Sequence, residues 1–330
     1  MRALILAPFS ERALEKLRRR MHVTYESWLE TRRLWDPEEL GRRLDREGFD
    51  ALVVEADFVF EETFDAAPGL RVVAVCRNAL NQVDLDAATR RGVTVLHAPS
   101  RNAMAVAELT IGLMFALLRN IPRADAFVRE GAWRDPSEAY VRWRGRELAG
   151  SVVGVIGLGR IGSEVARRCV ALGARALGSD PFVDARRAAA AGVRLVSLND
   201  LLRRADIVTI HASAPEGGPV VGEAALARMK PGALLIHTGA AEALDYAALA
   251  AALESGRLGG AALDVFEGHP VPRTSPLLRL PNVVLTPHIG GATRETVERH
   301  SRMIAADLER VQRGERPVRL ANPGVWRAGA

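Results

Sequence analysis

Val152–Gly162 reads VVGVIGLGRIG, and its interpretation decides the fold. An apolar run that suits a buried strand leads into Gly157, Gly159 and Gly162 in GxGxxG spacing, and the chain continues as SEVARRCVA, which suits a helix. The first glycine permits a tight strand-to-helix turn, the second lets a pyrophosphate approach the backbone, and the third lets helix pack closely on strand. The helix amino terminus near Arg160 and Ile161 then offers N–H groups and a positive dipole end to phosphates. Glycine turns are common, so the context carries the reading. The next strand ends in GSD, which places Asp180 about 18 residues past the third glycine, where a carboxylate binds an adenosine ribose and repels a 2′-phosphate. The expected cofactor is NAD(H) rather than NADP(H).

On either side of this motif, short apolar runs alternate with amphipathic helical stretches. Before it come ALIL, SERALEKLRRRM, DPEELGRRLDREG, ALVVEAD, RVVAVC and VTVLHAP; after it the expected strands are RALGSD, DIVTIHA, ALLIHT, GAALDVF and NVVLTPH. Such alternation implies α/β architecture with parallel sheets covered by helices on both faces. Between the two series lie a long apolar helix from about Asn102 to Pro122 and a Trp-, Arg- and Gly-rich loop, GAWRDPSEAYVRWRGRELAG. Glu108 in that helix reads as a packing residue, and the helix reads as buried between domains or subunits rather than in a bilayer. A final amphipathic helix runs from Arg294 to about Gly314.

With 330 residues, two domains are expected. The net charge of +5 is carried almost wholly by arginine, since Lys16 and Lys230 are the only lysines, and the arginines are interspersed with acids. Solvated helix faces explain that pattern better than a nucleic-acid partner. Cys76 and Cys169 lie in apolar runs without ligand spacing and read as buried, reduced thiols. The amino terminus reads as a first strand rather than a secretory signal, so a cytoplasmic protein is expected.

The segments NAMAVAELTIGLMFALLRNIPRA, VVGVIGLGRIGSEVARR, ADIVTIHA, MKPGALLIHT, GRLGGAALDVFEGHP and NVVLTPHIGGATRET, in this order, resemble the D-2-hydroxyacid dehydrogenase family over nearly the whole chain. That resemblance implies two doubly wound parallel-sheet domains: a Rossmann NAD-binding domain (102–292) inserted into a flavodoxin-like substrate domain (1–101 plus 293–330). It implies a homodimer formed with the long helix, cofactor roles for Asp180, His211, Thr238, Gly239, Asp264 and Gly290, and hydride exchange with C2 of a small 2-hydroxy or 2-keto acid. His288 of the PHIGG motif would be the acid/base and lie beside the cofactor, in a loop shaped by Pro287, Gly290 and Gly291.

Three positions depart from the family pattern. Ala240 stands where the resemblance expects an arginine for the substrate carboxylate, His269 stands where it expects the glutamate that holds the catalytic histidine, and His237 replaces an asparagine. The loop CRNALNQVD also lacks the glycines that would bring backbone N–H groups to the substrate at Asn78 and Ala79. Loss of one partner of a buried ion pair costs about 3–5 kcal/mol, or roughly two to four decades in rate if it acts in the transition state. Chemistry survives if Arg77 or Arg101 binds the acid and His269 orients His288; otherwise the chain is a non-catalytic NAD(H)-binding homologue or an enzyme of altered chemistry. His237, His269 and His288 would offer zinc three imidazoles, but histidines in sheet-end loops are more often hydrogen-bonded structural residues, and no metal is expected. His22, His97 and His300 carry no motif and read as surface or packing residues.

Overall fold

The computed structural model describes residues 1–214, 217–268 and 270–326. Two compact units emerge, Met1–Arg101 with the segment from Thr293 onward, and Asn102–Ala292.

The first unit runs β1 (Arg2–Ile5), α1 (Glu11–Arg18), β2 (His22–Tyr25), α2 (Trp28–Thr31), α3 (Pro37–Glu47), β3 (Ala51–Val54), α4 (Glu61–Ala66), β4 (Val72–Val75), α5 (Leu85–Arg90) and β5 (Thr94–His97). Its sheet is wholly parallel in the order β2-β1-β3-β4-β5. Buried on both faces, β1, β3 and β4 are apolar runs whose side chains alternate between two cores: Ala3 and Ile5 enter one, Leu4 and Leu6 the other. Strand order reverses between β1 and β3, and in such sheets ligands bind outside the carboxyl ends of the strands at that reversal.

The second unit runs α6 (Ala103–Leu118), α7 (Ile121–Arg129), α8 (Pro136–Arg142), β6 (Val152–Ile156), α9 (Arg160–Ala171), β7 (Arg175–Ser179), α10 (Ala185–Ala190), β8 (Val193–Leu195), α11 (Leu198–Arg204), β9 (Ile207–Ile210), α12 (Glu223–Arg228), β10 (Leu234–His237), α13 (Tyr246–Glu254), β11 (Gly260–Leu263) and β12 (Val283–Leu285). Its parallel sheet has the order β12-β11-β10-β9-β6-β7-β8, with the reversal between β6 and β9. The chain then returns to the first unit as α14 (Arg294–Gln312), whose Ile304, Ala305 and Leu308 join the core beside α1.

Several sequence expectations change here. The long apolar run is two helices, because Asn120 adopts a left-handed conformation and the axis turns by 61° between α6 and α7. Among the described residues no single helix is long and apolar enough to cross a membrane. The stretch expected as a loop contains α8, capped by the Asp135 carboxylate on the Ser137 N–H. Glu108 is not packed: its side chain is exposed and lies 3.7 Å from Arg168. Two short edge strands, β2 and β8, join the strands expected from the sequence, and both cysteines are buried and free.

Candidate active site

At the sheet reversal of the second unit the backbone is packed to the limit of what glycine allows. Gly157 has φ +85, and a Cβ there would lie 2.7 Å from the Ala212 nitrogen. A Cβ on Gly162 would lie 1.9 Å from the Gly157 oxygen, and one on Gly239 would lie 2.8 Å from the Ile210 oxygen. Gly159 differs, because nothing stands within 4 Å of the place its Cβ would take. The protein itself does not require a glycine there. The open space lies at the amino end of α9, where Gly159 is the N-cap without a capping side chain and the N–H groups of the first turn, Arg160 and Ile161 among them, have no partner within the helix. Residues and space fit a pyrophosphate.

Asp180, just past β7, is oriented for a ribose. Its Oδ2 accepts from the Leu158 N–H at 2.7 Å and its Oδ1 from the Phe182 N–H at 2.8 Å, so the carboxylate is fixed and still has lone pairs for hydroxyls. The Phe182 ring beside it is 91% exposed and offers an apolar face to a base. Sequence reasoning missed this residue, although its position two residues after the ribose carboxylate could have flagged it.

His211 belongs to a chain of hydroxyls joining β9, β10 and α6. Thr110 Oγ1 donates to the Val106 carbonyl at 2.7 Å, so it accepts from Thr238 Oγ1 at 2.9 Å. The Thr238 oxygen is then free to receive the His211 Nδ1 proton across a long 3.5 Å contact, and His211 Nε2 accepts from Thr209 Oγ1 at 2.9 Å. This donor order assigns the Nδ1–H tautomer. Although part of His211 stays exposed, burial of its ring, aided by the nearby His237, pushes its pKa down to about 3.

His237 closes β10 with its side chain fully buried, and among the described residues neither ring nitrogen has a hydrogen-bond partner. Burial lowers its pKa to about 4; backbone groups of Ala241, Ile210 and Ala240 oppose this without reaching hydrogen-bond geometry. Among the described residues no group of three His, Cys, Asp or Glu could hold a metal ion. His269 lies outside the described residues.

The loop carrying His288 is held by one carboxylate. Asp264 follows β11 and is 2% exposed. Its Oδ1 accepts from Thr286 Oγ1 at 2.7 Å and from the Ile289 N–H at 2.8 Å, and its Oδ2 accepts from the Gly290 N–H at 2.8 Å. These three donors bracket His288 on both sides. The histidine is exposed and has φ +54, a left-handed conformation that costs a non-glycine residue energy and persists where its surroundings enforce it. Gly290 is needed for the grip, since a Cβ there would lie 2.9 Å from Asp264 Oδ2. Ala240, partly exposed, opens a 3₁₀ turn over Ala241–Ala243 that presents no cation.

In the first unit, Arg77 lies just beyond β4, half-buried, with its side chain in no ion pair or hydrogen bond among the described residues; Asn78 and Ala79 beside it are exposed. Arg101 is different. Its Nη1 lies 2.6 Å from Glu55 Oε1 and donates to His300 Nδ1 at 2.8 Å, while His300 Nε2–H donates to the Pro8 carbonyl at 2.7 Å. Its charge is therefore neutralised within the domain. Burial of His300 lowers its pKa to about 4, in keeping with a neutral ring that accepts from Arg101. His22 is exposed, and His97 Nδ1 lies 3.5 Å from the Asn78 oxygen.

Two outcomes follow from this geometry. Gly159→Val should abolish NADH binding in calorimetry while leaving the melting temperature within a few degrees, whereas Gly162→Ala should fail to fold stably; equal loss of stability in both would contradict the cradle. His211, His237 and His300 are neutral when folded and titrate at 6.5 when unfolded, so stability is highest above pH 6.5 and is lost as pH falls toward about 4 for His237 and His300 and about 3 for His211. Between pH 6.5 and 5, denaturant unfolding should lose up to about 2.7 kcal/mol per pH unit in the unit holding His211 and His237, and about 1.4 in the unit holding His300. A flat profile over that window would show that the rings are not held neutral.

Comparison with known proteins identifies the family. The family described as D-isomer specific 2-hydroxyacid dehydrogenase, NAD binding domain, matches residues 111–290. The D-3-phosphoglycerate dehydrogenase of Archaeoglobus fulgidus is 37% identical over 324 residues, 97% of this chain and 59% of that protein. The glyoxylate reductase of Korarchaeum cryptofilum is 38% identical over 283 residues, 84% of this chain and 83% of that protein. This chain thus spans only about half to three-fifths of several longer curated relatives. Among solved structures, the TT0316 protein of Thermus thermophilus superposes with a TM-score of 0.85 at 34% identity, covering 97% of this chain and all of that one. Escherichia coli D-lactate dehydrogenase gives 0.80 at 26%, covering 97% of this chain and all of that one. The chain belongs to the D-isomer-specific 2-hydroxyacid dehydrogenase family, and its cofactor is a nicotinamide dinucleotide.

Proposed function

We propose that this protein is an NAD(H)-dependent oxidoreductase acting at C2 of a 2-hydroxy or 2-keto acid, with His288 as acid/base and Arg77 as the cation for the substrate carboxylate. Residues 102–292 form the NAD-binding domain in this reading, and 1–101 with 293–330 the substrate domain. The observation that carries it is the Asp264 clamp: three hydrogen bonds to a buried carboxylate hold His288 in a strained, exposed conformation. Such strain is characteristic of functional sites.

Gly157, Gly159, Gly162 and the first turn of α9 hold the pyrophosphate, and Asp180 holds the ribose and disfavours a 2′-phosphate. The bound nicotinamide supplies the hydride chemistry. His288 gives a proton to the C2 oxygen in reduction and takes it back in oxidation. Arg77 fixes the acid by a bidentate contact, which its planar fork suits. Asp264 keeps the His288 loop in place. We place the protein in the cytoplasm as a homodimer; the exposed Ile121 and Val128 of α7, Trp133, and Tyr140 and Val141 of α8 supply apolar surface for a second subunit. A non-catalytic NAD(H)-binding role is favoured by one observation, the cation-free turn at Ala240.

Steady-state NADH oxidation with a panel of 2-keto acids separates the two. The unmodified protein should turn over, His288→Asn should lower kcat by about 10²–10⁴ without weakening NADH binding, and Arg77→Met should lower kcat/KM by roughly two to four decades. Turnover seen only after Ala240→Arg with His269→Glu would assign the natural protein to the non-catalytic reading.

A further inference from the structure

Four arginines stand on the loops that follow β1 to β5 at the carboxyl edge of the first unit's sheet: Arg32, Arg33, Arg77 and Arg101. Arg33 pairs with Glu39 at 3.0 Å and stacks on Trp35, and Arg101 pairs with Glu55. Arg32 is exposed at the C-cap of α2. That leaves Arg77 as the one half-buried cation of the four without a carboxylate partner among the described residues. One such arginine matches one carboxylate. At the sheet reversal between β1 and β3 Glu55 and Arg101 compensate each other, and Glu55 Oε2 also accepts from the Trp28 indole N–H at 3.3 Å.

The same edge carries apolar surface. Phe58 and Phe60, on the loop after β3, are 47% and 37% exposed, with ring centroids 5.3 Å apart. Their loop is fastened to the one that carries Arg77: the Val59 N–H donates to the Gln82 carbonyl at 2.8 Å, the Asp84 N–H to the Val59 carbonyl at 2.9 Å, and Gln82 Nε2 to the Glu55 carbonyl at 3.1 Å. On its other side the Trp35 N–H donates to Asp57 Oδ1 at 3.0 Å, which brings Leu34, 55% exposed, onto the neighbouring loop. Two paired rings held on anchored loops at the ligand-binding edge of a parallel sheet suit an apolar group.

We infer that the acid this protein takes carries, beside its carboxylate, a bulky apolar substituent of aromatic size. This deepens the proposed function and rests on it for the role of Arg77. Covering an exposed ring with a second ring adds roughly tenfold to hundredfold in affinity.

The test is calorimetric titration of the full chain loaded with NAD⁺, with which a keto acid cannot exchange hydride, so binding is read without turnover. The probes are pyruvate, phenylpyruvate and 3-phosphohydroxypyruvate. Phenylpyruvate should bind at least tenfold tighter than the other two, and the double variant Phe58→Ser, Phe60→Ser should erase that advantage while leaving pyruvate binding and the melting temperature unchanged. Tighter binding of 3-phosphohydroxypyruvate, or a double variant that weakens pyruvate and phenylpyruvate equally, overturns the inference. Phenylpyruvate binding without NADH oxidation upholds the inference and removes the catalytic reading alone; binding of none of the three removes both.

Discussion

The structure depends on the approach of three backbone segments at the reversal of the second sheet. Gly157 and Gly239 press on the segment from Ile210 to Ala212, and Gly162 presses on Gly157, each at a distance that leaves no room for a Cβ. These contacts fix where β6, β9 and β10 end and where α9 begins. They thereby determine where the open space in front of Gly159 lies and which carboxyl-end groups border it. A methyl group at any of the three packed positions would move backbone rather than side chain, which a close-packed interior accommodates poorly. The same close packing encloses His211 and His237, and desolvation keeps both rings neutral.

Asp264 extends that rigidity to His288. Taking away its carboxylate would break three hydrogen bonds and leave the buried Gly290 N–H without its partner, an orphan that costs about 1–3 kcal/mol. The loop would be released from its strained arrangement. The described hydrogen bonds of the clamp do not involve Ala240, so the loop can present the histidine in the absence of the family arginine. Under the proposed function the carboxylate-binding role falls to an arginine of the first unit. There the two arginines that the sequence offers separate by their partners: Arg101 is neutralised by Glu55 and tied to His300, whereas Arg77 has no acid against it among the described residues.

Much of this is legible in the sequence because it is backbone chemistry at short range. Glycine spacing, the strand-end Asp180 and the long buried strands are local patterns, and β1, β3 to β7 and β9 to β12 all stand out as apolar runs. The edge strands β2 and β8 do not, since HVTY and VRL are short, only partly buried and carry no sustained apolar run. The segment around α8 reads as a loop for its Trp, Arg and Gly content, while its cap, Asp135 before Pro136, is the signal that marks a helix. Long-range pairing is out of reach. The partners Arg101 and His300 are 199 residues apart, and Glu55 comes from a third segment, so nothing in the spacing distinguishes Arg101 from Arg77. For the same reason His300 reads as no more than a surface or packing residue, and its part in fixing Arg101 becomes visible only in the folded chain.

The central claim is that His288, held by Asp264 and supplied with an acid by Arg77, still serves hydride exchange although the family arginine is missing. The most direct measurement uses NADH deuterated at C4 on one face, mixed with the full chain and a set of 2-keto acids that includes phenylpyruvate, with the hydroxy acid products read by mass. The account predicts deuterium at C2 of a product from one labelled face and not from the other, in the unmodified protein. Recovery of labelled NADH unchanged, with binding intact and no deuterated hydroxy acid formed, would contradict it.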